Sequence, residues 1–174
     1  LSNYGLLTGI GDQGQRAKAL DLFARMYAPA IGSGLVTDYL RSTGMDALEG
    51  ADIVKVAPQM YSSEVEYPNS SIANHLKDIA QVYLADLGTR IFYTAHAQFD
   101  THAGEMLFHP VLWRDVSQAV GAFFDDLREH GRGDNVIMYL FSEFGRRVRD
   151  NGSGTDHGAG GAAFVIGDAV KGGF

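Results

Sequence analysis

Val136-Ile137-Met138-Tyr139-Leu140-Phe141 is the run that most constrains this chain: six consecutive apolar side chains, ended by Ser142-Glu143. A run this short, without alternation, reads as a strand buried on both faces, as in a parallel sheet. Such a strand needs a layer on each side. The residues before it supply one: Leu112, Val116, Val120, Phe123, Phe124 and Leu127 make a wide helical face. Pro110 suits the first turn of that helix, and Gly131 closes it. Earlier still, Ile91–Ala95 is β-prone, and Ala163–Ile166 follows as a third such run. Strand, helix, strand predicts a βαβ unit with parallel strands. The expected fold class is therefore α/β, with a mainly parallel central sheet flanked by helices.

Other segments fill in the frame. Ser70 or Ser71 can cap a helix whose stripe is Ile72, Leu76, Ile79, Tyr83 and Leu87, with Gly88 at its end. Leu35 to about Leu48 predicts another helix, interrupted near Gly44. Leu20, Phe23, Ala24 and Tyr27 predict one more, ended by Pro29. Residues 1–14 and 58–68 read as loops. Residues 142–162 form a long connection with no obvious helix, of the kind that more often serves function. The length, 174 residues, fits one domain. Because the chain opens at Leu1 rather than Met, residues 1–174 are expected to be a single partial domain, the later part of a larger one.

Composition removes several function classes. The net charge is −7, and the nearest thing to a basic cluster is Arg146, Arg147 and Arg149. Non-specific nucleic-acid binding runs on Lys and Arg, so no nucleic-acid partner is expected. No run of about 18 apolar residues exists, so no membrane span is expected. There is no cysteine, which excludes disulfides and thiolate metal ligands.

What remains is oxygen and imidazole chemistry. Three polar clusters hold it: Phe99-Asp100-Thr101-His102, Ser142-Glu143-Phe144-Gly145-Arg146 and Gly154-Thr155-Asp156-His157-Gly158. Asp100, His102 and Glu143 fall where parallel strands would end, the edge at which open α/β sheets bind ligands. Carboxylates crowded there need a cation, since like charges at close range are costly. Asp156-His157 sits among glycines, which let the backbone approach a ligand closely. The candidate metal ligands are thus Asp100, His102, Glu143, Asp156 and His157. Arg146 could clamp an anion, and could equally pair with an aspartate. His96 and His109 flank Asp100 and could stand behind the ligands. Asn151-Gly152-Ser153 matches the glycosylation acceptor pattern, which chance produces too often to use.

The stretches FDTHAG (99–104), FSEFGRRVRDNGSGTDHGAGG (141–161) and FVIGDAVKGG (164–173) occur in an order that resembles a bacterial family, domain of unknown function fifteen-oh-one. The likeness runs from about Tyr67 onward. That family is grouped with the alkaline-phosphatase-like superfamily of phosphatases, sulfatases and cofactor-independent phosphoglycerate mutases. The resemblance implies an alkaline-phosphatase-like fold and a divalent-metal-dependent hydrolase of phosphate or sulfate esters, acting on a small anionic ester. Asp100, His102 and His157 would hold one ion, with Glu143 and Asp156 nearby or at a second, and Arg146 would take a catalytic role orienting the ester anion. Zn²⁺, Mn²⁺, Mg²⁺ and Ca²⁺ all remain open. Phe144 stands where the superfamily has a histidine ligand. It favours the rival reading, a non-catalytic exported protein with at most a structural ion. Export, often through a twin-arginine leader, is implied by the resemblance alone.

Overall fold

The computed structural model describes residues 17–18, 21–22, 25–26, 34–54 and 56–173. The chain divides into two compact units, Leu1–Tyr61 with Ala85–Gly88, and Ser62–Leu84 with Thr89–Phe174. In the first, helix α1 spans Leu35–Val54 and a short helix α2 spans Ala57–Met60. The helix expected near Leu35 therefore runs unbroken through Gly44, and further than Leu48. The short α2 helix begins inside the stretch expected to be loop. The loop expected over 1–14 and the stripe Leu20, Phe23, Ala24 and Tyr27 lie outside the described residues.

The second unit carries the core. Helix α3 spans Ser71–Leu84 and helix α4 spans Glu105–Glu129. Ser70 is the cap of α3: its Oγ accepts from the Ala73 amide at 3.3 Å. The helix stops at Leu84, short of Leu87, while Gly88 takes the left-handed φ of 79° that only glycine adopts freely. Ile72, Ala73, Leu76 and Ala80 of α3 pack on Ala119, Phe123, Phe124 and Leu127 of α4. Burying each large apolar side chain is worth about 1.5–3 kcal/mol. Helix α4 begins five residues before Pro110, so the proline lies inside it rather than in its first turn. Glu105 opens the helix instead, where a carboxylate complements the dipole.

Among the described residues there is no parallel sheet. Strand β1 (Met138–Leu140) pairs antiparallel with β4 (Phe164–Ile166), and β2 (Gly145–Asp150) pairs antiparallel with β3 (Thr155–Gly158). These are two separate two-stranded sheets. The expected α/β fold with its mainly parallel central sheet is thereby overturned. The cause lies in the connections. A parallel pair needs a crossover of a dozen or more residues, usually a helix. Between β1 and β4 the chain forms the β2–β3 hairpin and no helix, so the usual crossover element is absent. Ile91–Ala95, the intended first strand of the βαβ unit, joins no ladder among the described residues. The run Val136–Phe141 is also not buried on both faces, since Ile137 is 66% and Tyr139 60% exposed. Among the described residues no helix is long and apolar enough to cross a membrane.

Asp126 is fully buried in α4, and its Oδ2 accepts from the Tyr67 hydroxyl at 2.7 Å. His130, just past the end of the same helix, ties it to the segment before α3. Its Nδ1 lies 2.8 Å from the Asp126 carbonyl oxygen and its Nε2 3.0 Å from that of Ser62. Two carbonyl acceptors call for two N–H donors, which only the imidazolium has. The Asp126 carbonyl, helped by Ser62 and by the Asp126 and Glu129 charges, raises the His130 pKa above its ordinary 6.5. A group favoured in its charged form supports the fold fully below its unfolded pKa and loses that support as pH rises through the folded value. Stability should therefore fall as pH climbs from about 6.5 through the range above it, and His130→Gln should flatten that slope. Denaturant midpoints measured across this range check it.

Candidate metal centre

The site is built by fastening the loop Phe99–His102 to the β2–β3 hairpin. Arg146 and His157 are directly opposed in that hairpin. The Arg146 guanidinium, 17% exposed, donates to the carbonyl oxygens of Phe99 at 2.7 Å, Thr101 at 3.1 Å and Thr155. Asn151, at the hairpin turn, donates from Nδ2 to the His102 carbonyl at 3.1 Å. Its Oδ1 accepts from the amides of Ser153 and Gly154, at 3.1 and 3.0 Å. Glycine at 154 suits the close approach: a Cβ there would lie 3.0 Å from the His102 carbonyl oxygen, tighter than ordinary contact. From the other side, His109 in α4 reaches the Thr101 hydroxyl at 2.8 Å, and Glu105 Oε2 accepts from the Thr155 hydroxyl at 2.8 Å.

This scaffold brings Asp100, His102 and His157 together. One ligand-type atom from each lies within 4.8 Å of the others. Asp100 Oδ1 is the shared point, 2.7 Å from His157 Nε2 and 3.1 Å from His102 Nε2. The His102 and His157 rings are 4.8 Å apart between centroids. Bonds of about 2.0–2.1 Å to one ion would set neighbouring donor atoms about 2.9 Å apart at a right angle and about 3.4 Å at the tetrahedral angle. The two spacings to Asp100 Oδ1 bracket the first value, so these atoms could share a divalent ion. About half of each side chain is exposed, which leaves room for further ligands.

Two carboxylates at the site are favoured in their charged form. The Asp100 pKa lies below the ordinary carboxylate value, chiefly through the hydrogen bond with His157, with the charges of His157, His102 and Arg146 adding and desolvation opposing. Asp156 is lowered too, first by the Asn151 hydrogen bond and then by His102. Both carboxylates are ionised at neutral pH.

Two of the five candidate ligands stand apart from this group. Glu143 is exposed, and the group of converging donors does not include it. Asp156 sits behind His102, its Oδ1 being 3.3 Å from Nδ1. Phe144, beside Glu143, stacks on the His157 ring at 4.4 Å and an interplanar angle of 15°. Arg146 lies with its guanidinium carbon 5.3 Å from the Phe144 centroid. Asn151 carries weight that ligand-type reading of the sequence overlooks. Its signal was an Asn before Gly-Ser-Gly, which predicts a side chain bonded to nearby amides. Asp126, Glu129 and His130 also cluster within reach of one ion. Both His130 nitrogens face carbonyl oxygens there, so neither offers a lone pair.

Neither the curated proteins nor the solved structures contain a match to this chain. A family model does match, over residues 34–174, which takes in the whole candidate centre. The chain belongs to the family described as Protein of unknown function (DUF1501).

Proposed function

We propose that this chain holds one divalent ion between Asp100, His102 and His157, and that the centre hydrolyses phosphate or sulfate esters. The observation that carries the metal reading is the meeting of two imidazole Nε2 atoms on a single carboxylate oxygen, from segments over fifty residues apart in sequence. Two histidines and one carboxylate with open positions are a ligand set used by catalytic zinc and by other divalent ions. The ester class rests on the order of the motifs, which resembles that of the alkaline-phosphatase-like superfamily.

A bound ion would polarise a phosphoryl or sulfuryl oxygen and lower the pKa of a nucleophile. The protein's own part is positioning. Asp100 supplies a carboxylate that stays ionised, His102 and His157 supply neutral nitrogen donors, and Arg146 holds the loop that presents them. The half-exposed ligands leave the ester an open approach. With metal supplied, an aryl phosphate or sulfate should be turned over. Asp100→Ala should reduce that to background, a loss of several orders of magnitude, because the ion loses its carboxylate ligand. Steady-state rates on a panel of aryl esters check this.

One observation favours a second reading, a non-catalytic protein with a structural ion. Arg146 spends its guanidinium on three carbonyl oxygens, so its donors are not aimed at an ester anion. Metal uptake without turnover across the ester panel would select that reading.

A further inference from the structure

Resting on the metal reading, we propose that Asp156 and Asn151 are positioning residues. They present His102 Nε2 to the ion and stay outside its coordination sphere. A neutral imidazole has one N–H and one lone pair. Both His102 nitrogens face carboxylate oxygens: Nδ1 faces Asp156 Oδ1 at 3.3 Å, and Nε2 faces Asp100 Oδ1 at 3.1 Å. If Nδ1 carries the proton toward Asp156, the Nε2 lone pair points at the place where His157 Nε2 also arrives. Metal-bound histidines usually donate their other N–H to such a carboxylate, which fixes tautomer and ring orientation.

Asp156 is itself held. The same oxygen that faces His102 accepts from Asn151 Nδ2 at 3.0 Å. The other Nδ2 proton goes to the His102 carbonyl. One amide group thus fixes both the ring's partner and the residue's main chain. Its orientation follows from the partners, because Oδ1 meets two amide N–H groups and Nδ2 meets only acceptors. Asp156 Oδ1 therefore has two donors already, and the converging ligand group forms without it.

The test uses the full chain, Zn²⁺ affinity by chelator competition and the visible spectrum of Co²⁺-loaded protein. Asp156→Leu should weaken Zn²⁺ binding about 10- to 100-fold, the range for losing a partner behind a metal ligand. Asp156→Asn keeps an acceptor oxygen and should recover most of that loss. In both variants the Co²⁺ band shape should match the wild type, because the ligand set is unchanged. Melting of the metal-free variants shows whether the hairpin still folds, and Asp156→Ala, which also removes the acceptor, takes the place of Asp156→Leu if that variant does not. Wild-type Zn²⁺ affinity in both variants would overturn the relay and leave the metal centre standing. A Co²⁺ spectrum altered by Asp156→Asn as much as by His157→Ala would make Asp156 a ligand and overturn it too. A wild-type chain that binds neither ion rejects the metal reading, and the relay with it.

Discussion

His157→Ala should leave a folded protein that no longer retains a divalent ion through desalting. Removing a partner behind a ligand costs about 10- to 100-fold in affinity, and removing a ligand costs more. With His157 gone, the ion keeps one nitrogen and one carboxylate, both about half exposed to water that competes for it. The loss should therefore exceed about a hundredfold in Kd. Elemental analysis before and after desalting, beside a chelator titration, reads it. The fold should change little, because the His157 side chain is half exposed and lies outside the α3–α4 core.

Arg146→Ala should have the largest effect on stability. Its guanidinium is mostly buried and joins Phe99, Thr101 and Thr155 across the loop and the hairpin. A hydrogen bond to a charged donor is worth about 1.5–3 kcal/mol. The total should fall below the sum, since the freed carbonyls regain water, giving a cost of about 3 kcal/mol. For a chain of this length that lowers Tm by about 6–12 °C. Arg146→Lys should recover only part of it, because an ammonium lacks the planar fork that spans three acceptors. Metal affinity should fall alongside Tm in both variants, since the same bonds hold the loop bearing Asp100 and His102. Calorimetry and Zn²⁺ titration of the same samples test the pairing.

How much of this was legible beforehand depends on the physical signal. Helices α3 and α4 were readable because a 3.6-residue period is recorded locally, in Ile72, Leu76, Phe123 and Leu127. The sheet was not. Apolar side chains in Val136–Phe141 mark a strand but carry no information about its partner or direction. One clue was present: residues 142–162 held no helix, and a parallel return needs one. That segment forms the β2–β3 hairpin, and β4 pairs antiparallel with β1. At the centre, Asp100, His102 and His157 could be nominated by side-chain type, and the structure brings them to one point. Type could not separate His157, whose Nε2 meets Asp100, from its neighbour Asp156, which stands behind His102. Arg146 was open to two roles, anion clamp or ion-pair partner. Its carbonyl contacts depend on where the Phe99–His102 loop docks, which no local pattern encodes.

Anomalous diffraction at the zinc edge, from crystals of the full chain grown with Zn²⁺, tests the central claim most directly. The expected result is one strong peak among Asp100, His102 and His157, bonded to a carboxylate oxygen and both Nε2 atoms at about 2.0–2.2 Å. A map with no peak there, in which His157 Nε2 still donates directly to Asp100, would contradict the account.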